Sequence, residues 1–359
     1  MKPLRLVADD LTGALDTAAQ FVGVGRALPV YLGGRLPSPL PGEMAVDSAT
    51  RELDAASAAS EAARLAGILL RESGAISYRK VDSLLRGHPG LELAATLRAT
   101  LPRYCIVAPA FPLHGRVTRG GRQFQAGAPG PSGEDLGAAL LSHGIPMVLA
   151  RAGGPVPEGV SLWDAETDAD LRRIADAGKE LQSPVLWCGS GGLAAAIAGG
   201  RVPMAPALAS PVLGLFGTDH PATAAQLERC GPVVLSIGDG ESDAARVAAR
   251  LGDPGVCLVR FALPPGTARA EAARRISGGF GRLAEKIPKP RTLIASGGET
   301  LRALCQALGT HHLEVVGQVI PGVPVSRFVG GRWDGTIVVS KSGGFGDEAL
   351  LHRILSAAA

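Results

Sequence analysis

Short β-rich runs alternate with Ala- and Leu-rich amphipathic stretches along almost all of this 359-residue chain, and that alternation admits few folds. Parallel strands need a crossover of a dozen or more residues between them, most readily a helix. Repeated strand–helix–strand units therefore imply an α/β fold in which helices cover a doubly wound, mainly parallel sheet. In the first half the spacing predicts strands from Leu4 to Ala8, Ala27 to Leu32, Met44 to Asp47, Ala75 to Lys80, Tyr104 to Ala108 and Val185 to Cys188. It predicts helices from Thr12 to Val24, Leu53 to Ser73, Pro89 to Leu101 and Asp168 to Leu181, with Pro89 suited to a first helical position.

Residues Gly199 to Pro211, rich in Gly, Pro and small side chains, break the periodicity as a linker does. The alternation then resumes, with strands from Val212 to Phe216, Val233 to Ile237, Val256 to Phe261, Thr292 to Ala295 and Thr336 to Val339. Helices are expected from Ala222 to Cys230, Glu241 to Leu251, Ala268 to Lys286, Thr300 to Leu308 and Asp347 to Leu355. The boundary falls near residue 205, giving two α/β domains, 1–205 and 206–359, of the size usual for one core each. A cleft between them is the expected ligand site, because such sheets bind ligands at the carboxyl ends of their strands.

Composition narrows the partners. Gly (49) and Pro (27) make up about 21% of the chain against a usual ~12%. With 46% hydrophobic residues, 19% charged residues and a net charge of +3, the chain still buries enough apolar surface to fold compactly. Aromatic residues are only 4%, which disfavours stacking on nucleic-acid bases, so no nucleic-acid partner is expected. Cys105, Cys188, Cys230, Cys257 and Cys305 are far apart, with no C-x-x-C and no metal-ligand spacing, and are expected as buried, reduced thiols. Two Asp by position 10 leave no room for a signal-peptide apolar region, and no stretch approaches 18 apolar residues. A cytoplasmic protein with no membrane partner is expected.

Polar clusters gather at the predicted strand ends. Asp9 and Asp10 sit where a strand gives way to a helix; one carboxylate can cap that helix, and a pair can hold Mg²⁺, bind sugar hydroxyls or act as a base. Asp47, Ser48 and Arg51 follow a second strand, and Arg79, Lys80, Asp82, Ser83, Arg86 and His88 a third. Lys80, Asp82 and Arg86 mix both signs as an anionic polyol requires, with cations for a carboxylate and an acceptor for hydroxyls. Pro109, Pro112, Gly115, Arg116 and Thr118 suggest a rigid, irregular loop after a fourth strand, where Arg116 suits an anion and Arg119 and Arg122 read as solvated. Ser-Gly-Gly recurs at Ser190, Ser296 and Ser342, each time between a strand and a helix. Such turns either are simply tight or offer backbone N–H groups to phosphate or carboxylate. Neither the Walker A spacing nor G-x-G-x-x-G is present, and there is no G-x-S-x-G nucleophile motif.

In colinear order, "ADDLTGALDTAAQF", "VDSATR", "KVDSLLRG", "APAFPLHGR", "GSGGL", "SGGET", "PGVPVSRFVGG" and "WDGTIVVSKSGGFGDEALL" resemble the four-carbon acid sugar kinase family. These are ATP-dependent enzymes that phosphorylate tetronates such as threonate, erythronate or their oxo derivatives. The resemblance implies an acid-sugar-binding N-terminal domain over 1–205 and a nucleotide-binding C-terminal domain over 206–359. It implies sugar-acid contacts from Asp9, Asp10, Arg51, Lys80, Asp82, Ser83 and Arg86, to which the loop adds Arg116. It implies ATP contacts from Ser296, Gly297, Gly298, Glu299, Thr300, Gly343, Gly344, Phe345 and Gly346, with Lys341 and Thr218 beside them.

Three positions depart from the family pattern: Leu84 replaces a Thr, Thr218, Asp219 and His220 replace a Ser/Cys-rich loop, and Glu299 replaces an Asp. The expected chemistry is phosphoryl transfer from MgATP to a sugar-acid hydroxyl. Lys80 and Arg86 would meet the carboxylate or the transferring group, and Asp82 or Asp10 would take the hydroxyl proton. A sugar-acid dehydrogenase or isomerase and a non-catalytic sugar-acid-binding protein are the alternatives, and association with further copies of the chain is left open.

Overall fold

The structure, a computed structural model, describes residues 2–23, 26–72, 74–200, 202–205, 208–264 and 266–356, with Arg269 described by its backbone alone. Val24 and Ser73, the expected ends of two helices, lie outside the described residues, as do Arg201, Pro206 and Ala207 of the expected linker. The chain forms two compact units.

The first unit comprises residues 2–21 and 30–202. Its elements are β1 (Leu4–Ala8), α1 (Leu11–Phe21), β2 (Leu28–Tyr31, of which Val30 and Tyr31 belong to this unit and pair with the next strand), β3 (Met44–Asp47), α2 (Ala55–Leu69), β4 (Ile76–Lys80), α3 (Pro89–Thr100), β5 (Tyr104–Ala108), β6 (Arg116–Arg119), β7 (Arg122–Gln125), α4 (Leu136–Ser142), β8 (Met147–Arg151), β9 (Gly159–Asp164), α5 (Asp168–Lys179), β10 (Val185–Gly189) and α6 (Gly191–Ala198). The sheet runs β2-β3-β1-β4-β10-β5-β9-β8, with every neighbouring pair parallel. From β1 the chain passes to the outer strand β2, returns to β3 beside β1, and then crosses to β4 on the other side, so the carboxyl ends of β1, β3 and β4 open at a topological switch point.

One face of this sheet packs Val7, Met44, Val46 and Val107 against Leu65 and Leu69 of α2, Leu93 and Leu97 of α3, and Leu136 and Leu140 of α4. Ala58, Ala62 and Ala66 recur every four residues on the buried side of α2, and such small side chains let a neighbouring helix approach closely. Asp54 caps α2 through the Ser57 N–H, and Thr167 and Asp170 form a capping box on α5.

The second unit comprises 22–29 and 203–356. Its elements are β11 (Val212–Phe216), α7 (Pro221–Cys230), β12 (Val234–Ile237), α8 (Ala244–Gly252), β13 (Val256–Phe261), α9 (Arg269–Lys286), β14 (Thr292–Ser296), α10 (Gly298–Ala307), β15 (His312–Ile320), β16 (Val323–Val329), β17 (Ile337–Lys341) and α11 (Leu350–Ser356). The sheet runs β12-β13-β11-β14-β17-β16-β15, parallel as far as β17 and antiparallel beyond it. Leu227 of α7 and Leu350, Leu351 and Ile354 of α11 cover Val212, Phe216, Ile294 and Val339 on one face.

The chain thus adopts the α/β, mainly parallel class that the alternation implies. Elements absent from the sequence expectations have local causes. In β9, Ser161 interrupts the apolar run, yet the strand is buried because Ser161 Oγ donates to Cys105 O (3.2 Å) and Trp163 Nε1 donates to Ser161 Oγ (2.8 Å). β8 is a half-exposed edge strand without hydrophobic alternation. The stretch expected as an irregular loop after β5 is instead a 3-10 turn over Pro112–His114 followed by the β6–β7 hairpin. Within the expected linker, Met204 bridges to Gln318 of β15, so part of that segment is tied to a strand. Cys105, Cys188, Cys257 and Cys305 are buried and unbridged, whereas Cys230 is half-buried.

Candidate functional site

In the first unit, charges converge where β1, β3 and β4 end. Arg51, beyond β3, donates from Nε to Asp9 Oδ2 (2.8 Å) and from Nη1 to Asp10 Oδ2 (2.6 Å), and its Nη2 lies 3.6 Å from Asp82 Oδ1. Asp10 also caps α1, with Oδ1 accepting the Gly13 N–H at 2.9 Å. Arg86 clasps Asp82 with two bonds of 2.8 Å, and the backbone N–H groups of Leu84 and Arg86 add two more. Burial alone would raise the Asp82 carboxyl, but the Arg86 bonds and the charges of Arg51, Arg86 and Lys80 outweigh it and hold Asp82 well below the usual carboxylate range. Burial likewise opposes the charge on Arg51, and Asp9, Asp10 and Asp82 more than offset it. Asp9 is pushed upward, chiefly by burial, against the pull of Arg51.

The loops that present Arg51 and Arg86 each carry a left-handed non-glycine residue, Ala49 (φ 59°) and Leu85 (φ 56°). Such a backbone costs ~1–3 kcal/mol and persists only where the surroundings enforce it. Here they do so on both loops. The Asp47 carboxylate accepts the Ala49 N–H at 2.9 Å, and Leu85 is buried, its carbonyl bonded to the Glu134 N–H.

Beneath the site runs a buried polar chain. Side chains alternate across a strand, so Lys80 faces the α1 side while Arg79 faces α3 and pairs with Glu92. The same Glu92 oxygen accepts Thr50 Oγ1 (2.6 Å); Thr50 and Ser48 hydroxyls lie 2.9 Å apart, and Ser48 Oγ donates to Ala8 O (2.8 Å). On the hairpin, Arg116 Nη1 donates to Ser83 Oγ, and buried Gln123 donates to Ser83 O at 2.8 Å. Burial lowers the proton affinity of Arg116, Asp82 and Asp16 oppose that and Arg86 and Arg51 add to it, and among the described residues its Nε has no hydrogen-bond partner. His88 is peripheral and contacts Leu53 O.

In the second unit, the turns after β11, β14 and β17 meet around Lys341. Its buried ammonium donates to Thr223 Oγ1 (2.9 Å), Ser296 Oγ (3.3 Å) and Ser342 O (3.0 Å), and burial lowers its pKa to about 8. Thr223 Oγ1 donates onward to Gly343 O (2.7 Å). Gln226 Nε2 holds the carbonyls of Phe345, Gly346 and Asp347 at 3.0, 3.2 and 3.0 Å. A Cβ on Gly343 would lie 2.6 Å from Thr218 Oγ1, so these two turns touch through glycine. Gly297 turns with φ 104° into α10, whose first turn carries Gly298, exposed Glu299 and buried Thr300. His220 caps α7 through Nδ1, and Gly344 lies against its ring. Ser190 is different in kind: its hydroxyl is spent on Ala110 O (2.6 Å) and on the Gly192 N–H, a helix cap inside the core.

A sugar-binding N-terminal domain model matches residues 4–143, and a nucleotide-binding C-terminal domain model matches 213–351. The D-threonate kinase of Bordetella bronchiseptica is 32% identical, over 99% of this chain and 97% of its own length. That of Cupriavidus necator is 33% identical over 96% and 95%. The chain belongs to the four-carbon acid sugar kinase family. A D-erythronate kinase of Heliobacterium modesticaldum is more distant, 25% identical over 97% of this chain and 95% of its own. A crystal structure from Salmonella typhimurium LT2 shares the fold, with a TM-score of 0.78 at 20% identity over 98% of each chain.

Within this kinase family member, Asp9, Asp10, Arg51, Lys80, Asp82, Ser83, Arg86 and Arg116 gather in the first unit. Thr218, Ser296, Lys341 and Gly343 gather in the second. Lys341, expected beside the nucleotide turns, gives its three donors to those turns. Leu84, at the Thr position of the family motif, is half-buried and brings only its backbone N–H to Asp82. Thr50, Glu92, Gln123, Thr223 and Gln226 are not singled out by the sequence reading: Thr50 is an uncharged residue within "VDSATR", the others lie on helices or the hairpin, and only tertiary packing shows their contacts. Among the described residues no group of three or more His, Cys, Asp or Glu could hold a metal ion, and no helix is long and apolar enough to cross a membrane.

Proposed function

We propose that this protein transfers the γ-phosphoryl group of MgATP to a hydroxyl of a four-carbon sugar acid, a tetronate or oxo-tetronate. The observation that carries it is end-to-end likeness to D-threonate kinases in a chain whose first unit assembles cations and carboxylates at a switch point. Residues 1–205 are assigned the sugar acid and 206–359 the nucleotide. Arg116, with its uncommitted Nε, and Lys80, whose one bond among the described residues goes to Val81 O (2.8 Å), take the substrate carboxylate. Arg51 and Arg86, already held by Asp9, Asp10 and Asp82, set the field of the site.

Asp82 and Asp10 are the carboxylates that the sequence offers as proton acceptors. The Arg86 bonds favour the ionised form of Asp82 and weigh against it as a base, and both oxygens of Asp10 are taken up by Arg51 and the Gly13 N–H.

The turns at Ser296 to Thr300 and Ser342 to Gly346 receive the nucleotide phosphates on backbone N–H groups, with Lys341 keeping the turns in register. Mg²⁺ would arrive with the nucleotide, and Glu299 is the exposed carboxylate on those turns. Chemistry of this kind depends on positioning and charge cancellation, so acceptor and nucleotide must meet in line during turnover. The cytoplasm supplies both substrates. The purified protein is tested by ADP release from MgATP over D-threonate, L-threonate, D-erythronate and their 3-oxo forms. Release above the ATP-only background with at least one acid supports the proposal, and background rates with all of them overturn it.

A further inference from the structure

We infer that Asp16, on the second turn of α1, is the catalytic base that takes the proton from the acceptor hydroxyl. The assignment rests on the kinase function proposed above and adds the residue that performs its proton transfer.

The geometry around α1 carries the case. Asp10, Gly13 and Asp16 follow one another at three-residue spacing, so they share one helix face. That face lies against Lys80: a Cβ on Gly13 would stand 2.9 Å from Lys80 Nζ and 2.6 Å from Asp10 Oδ1. Glycine therefore lets the ammonium rest on the helix beside Asp16. From the other side α6 closes in, since a Cβ on Gly191 would stand 2.6 Å from Asp16 Oδ2 and 3.0 Å from the Phe111 ring.

Asp16 Oδ1 is enclosed and, among the described residues, accepts no hydrogen bond. An enclosed carboxylate oxygen without a donor is costly to keep in a folded protein, and a substrate hydroxyl is the donor it lacks. The other carboxylates that gather here are held by arginine: Asp82 by Arg86, Asp10 by Arg51 and the Gly13 N–H, and Asp9, whose Oδ1 also accepts no bond among the described residues, by Arg51 through Oδ2.

The charged groups facing Asp16 are Lys80 from β4, Arg116 from β6 and Asp10 from the β1–α1 turn; Tyr78 of β4 senses its charge, and Gly191 of α6 brings none. Burial is the largest influence and, with Asp10, outweighs Lys80 and Arg116, so the carboxyl titrates at about 6. A base poised just below neutral pH is ionised at pH 7 and still basic enough to accept a proton. Lys80 and Arg116, the cations that face Asp16, are the same groups to which the substrate carboxylate is assigned, and that assignment brings the acceptor to Asp16.

In the step itself the hydroxyl oxygen bonds to the γ-phosphorus as its proton passes to Asp16 Oδ1. The bond from that phosphorus to the β–γ bridging oxygen breaks, and its electron pair leaves on ADP. The protonated Asp16 returns its proton to water after the phosphate ester departs.

The test compares wild type, Asp16→Asn, Asp16→Glu and Asp82→Asn in saturating MgATP and the best tetronate between pH 5 and 9. Wild-type turnover on a tetronate tests the kinase proposal by itself. Given that turnover, Asp16→Asn should lower kcat by ~10²-fold or more with the acceptor KM little changed. It should also abolish the fall of kcat below pH about 6. Asp16→Glu should recover part of kcat and keep an acid limb, and Asp82→Asn should keep the limb whatever its rate. A folded Asp16→Asn enzyme that retains kcat within about threefold, far less than loss of a base costs, or one that retains the acid limb, overturns the assignment. So does loss of the limb in Asp82→Asn alone.

Discussion

Replacing Asp16 with Asn should make the protein more stable while disabling it, and the gain should depend on pH. A carboxyl raised from 3.8 to about 6 resists ionisation in the fold. At ~1.4 kcal/mol per tenfold change in proton affinity, its charge costs at most about 3 kcal/mol at pH 8. The sign follows from the direction of the shift. The neutral form is favoured in the fold, so the penalty is complete above pH 6 and is withdrawn as the pH falls through 6 toward 3.8. At pH 5 about half of it remains by the same linkage relation, a difference of roughly 1.4 kcal/mol from pH 8.

Asn turns an amide toward Lys80 and Arg116 and forfeits part of the gain, but that cost is the same at both pH values. The difference between the two pH values is therefore the clean quantity. At ~2–4 °C per kcal/mol for a domain of this size, the Tm advantage of Asp16→Asn over wild type should be about 3–6 °C larger at pH 8 than at pH 5. Calorimetry at the two pH values measures it. A Tm advantage that is independent of pH, or larger at pH 5, would refute the claim that Asp16 is a strained, poised carboxylate.

Three further outcomes follow from other parts of the molecule. Glu92→Ala leaves the buried Arg79 without its carboxylate and Thr50 without its acceptor; urea unfolding should show a loss of ~3–5 kcal/mol, and a loss below ~1 would contradict the pairing. Gly343→Ala forces a Cβ to 2.6 Å from Thr218 Oγ1. Strain of ~1–3 kcal/mol should raise the ATP KM roughly tenfold and leave the tetronate KM alone, and the reverse pattern would sink the assignment of these turns. Arg116→Ala removes a charge-assisted contact worth ~1.5–3 kcal/mol, so the tetronate KM should rise at least about tenfold. An unchanged tetronate KM would remove Arg116 from substrate binding.

Much of this molecule was legible in its sequence because strand–helix alternation is a local signal. The parallel strands of both units follow runs such as Leu4–Ala8 and Val212–Phe216, whose apolar side chains are buried. The loops at their carboxyl ends carry the charged motifs. What escaped was non-local. β9 holds a polar Ser161 that only its bond to Cys105 O makes acceptable in a core. β6 and β7 form a hairpin where Pro, Gly and Arg suggested an irregular loop. Lys341 stands beside Ser-Gly-Gly in the sequence, but only the fold brings to its ammonium Thr223, more than a hundred residues earlier. Asp16 lies unmarked within "ADDLTGALDTAAQF", and the approach of Gly191 from α6 shows how its carboxylate is enclosed.

The central claim is phosphorylation of a tetronate hydroxyl, and ³¹P NMR of the protein with MgATP and each four-carbon acid tests it most directly. With at least one acid, a phosphomonoester resonance split by a carbon-bound proton should grow as the γ-phosphate signal of ATP declines and ADP accumulates in equal amount. ATP that stays intact with every acid, or inorganic phosphate as the sole product, would contradict it.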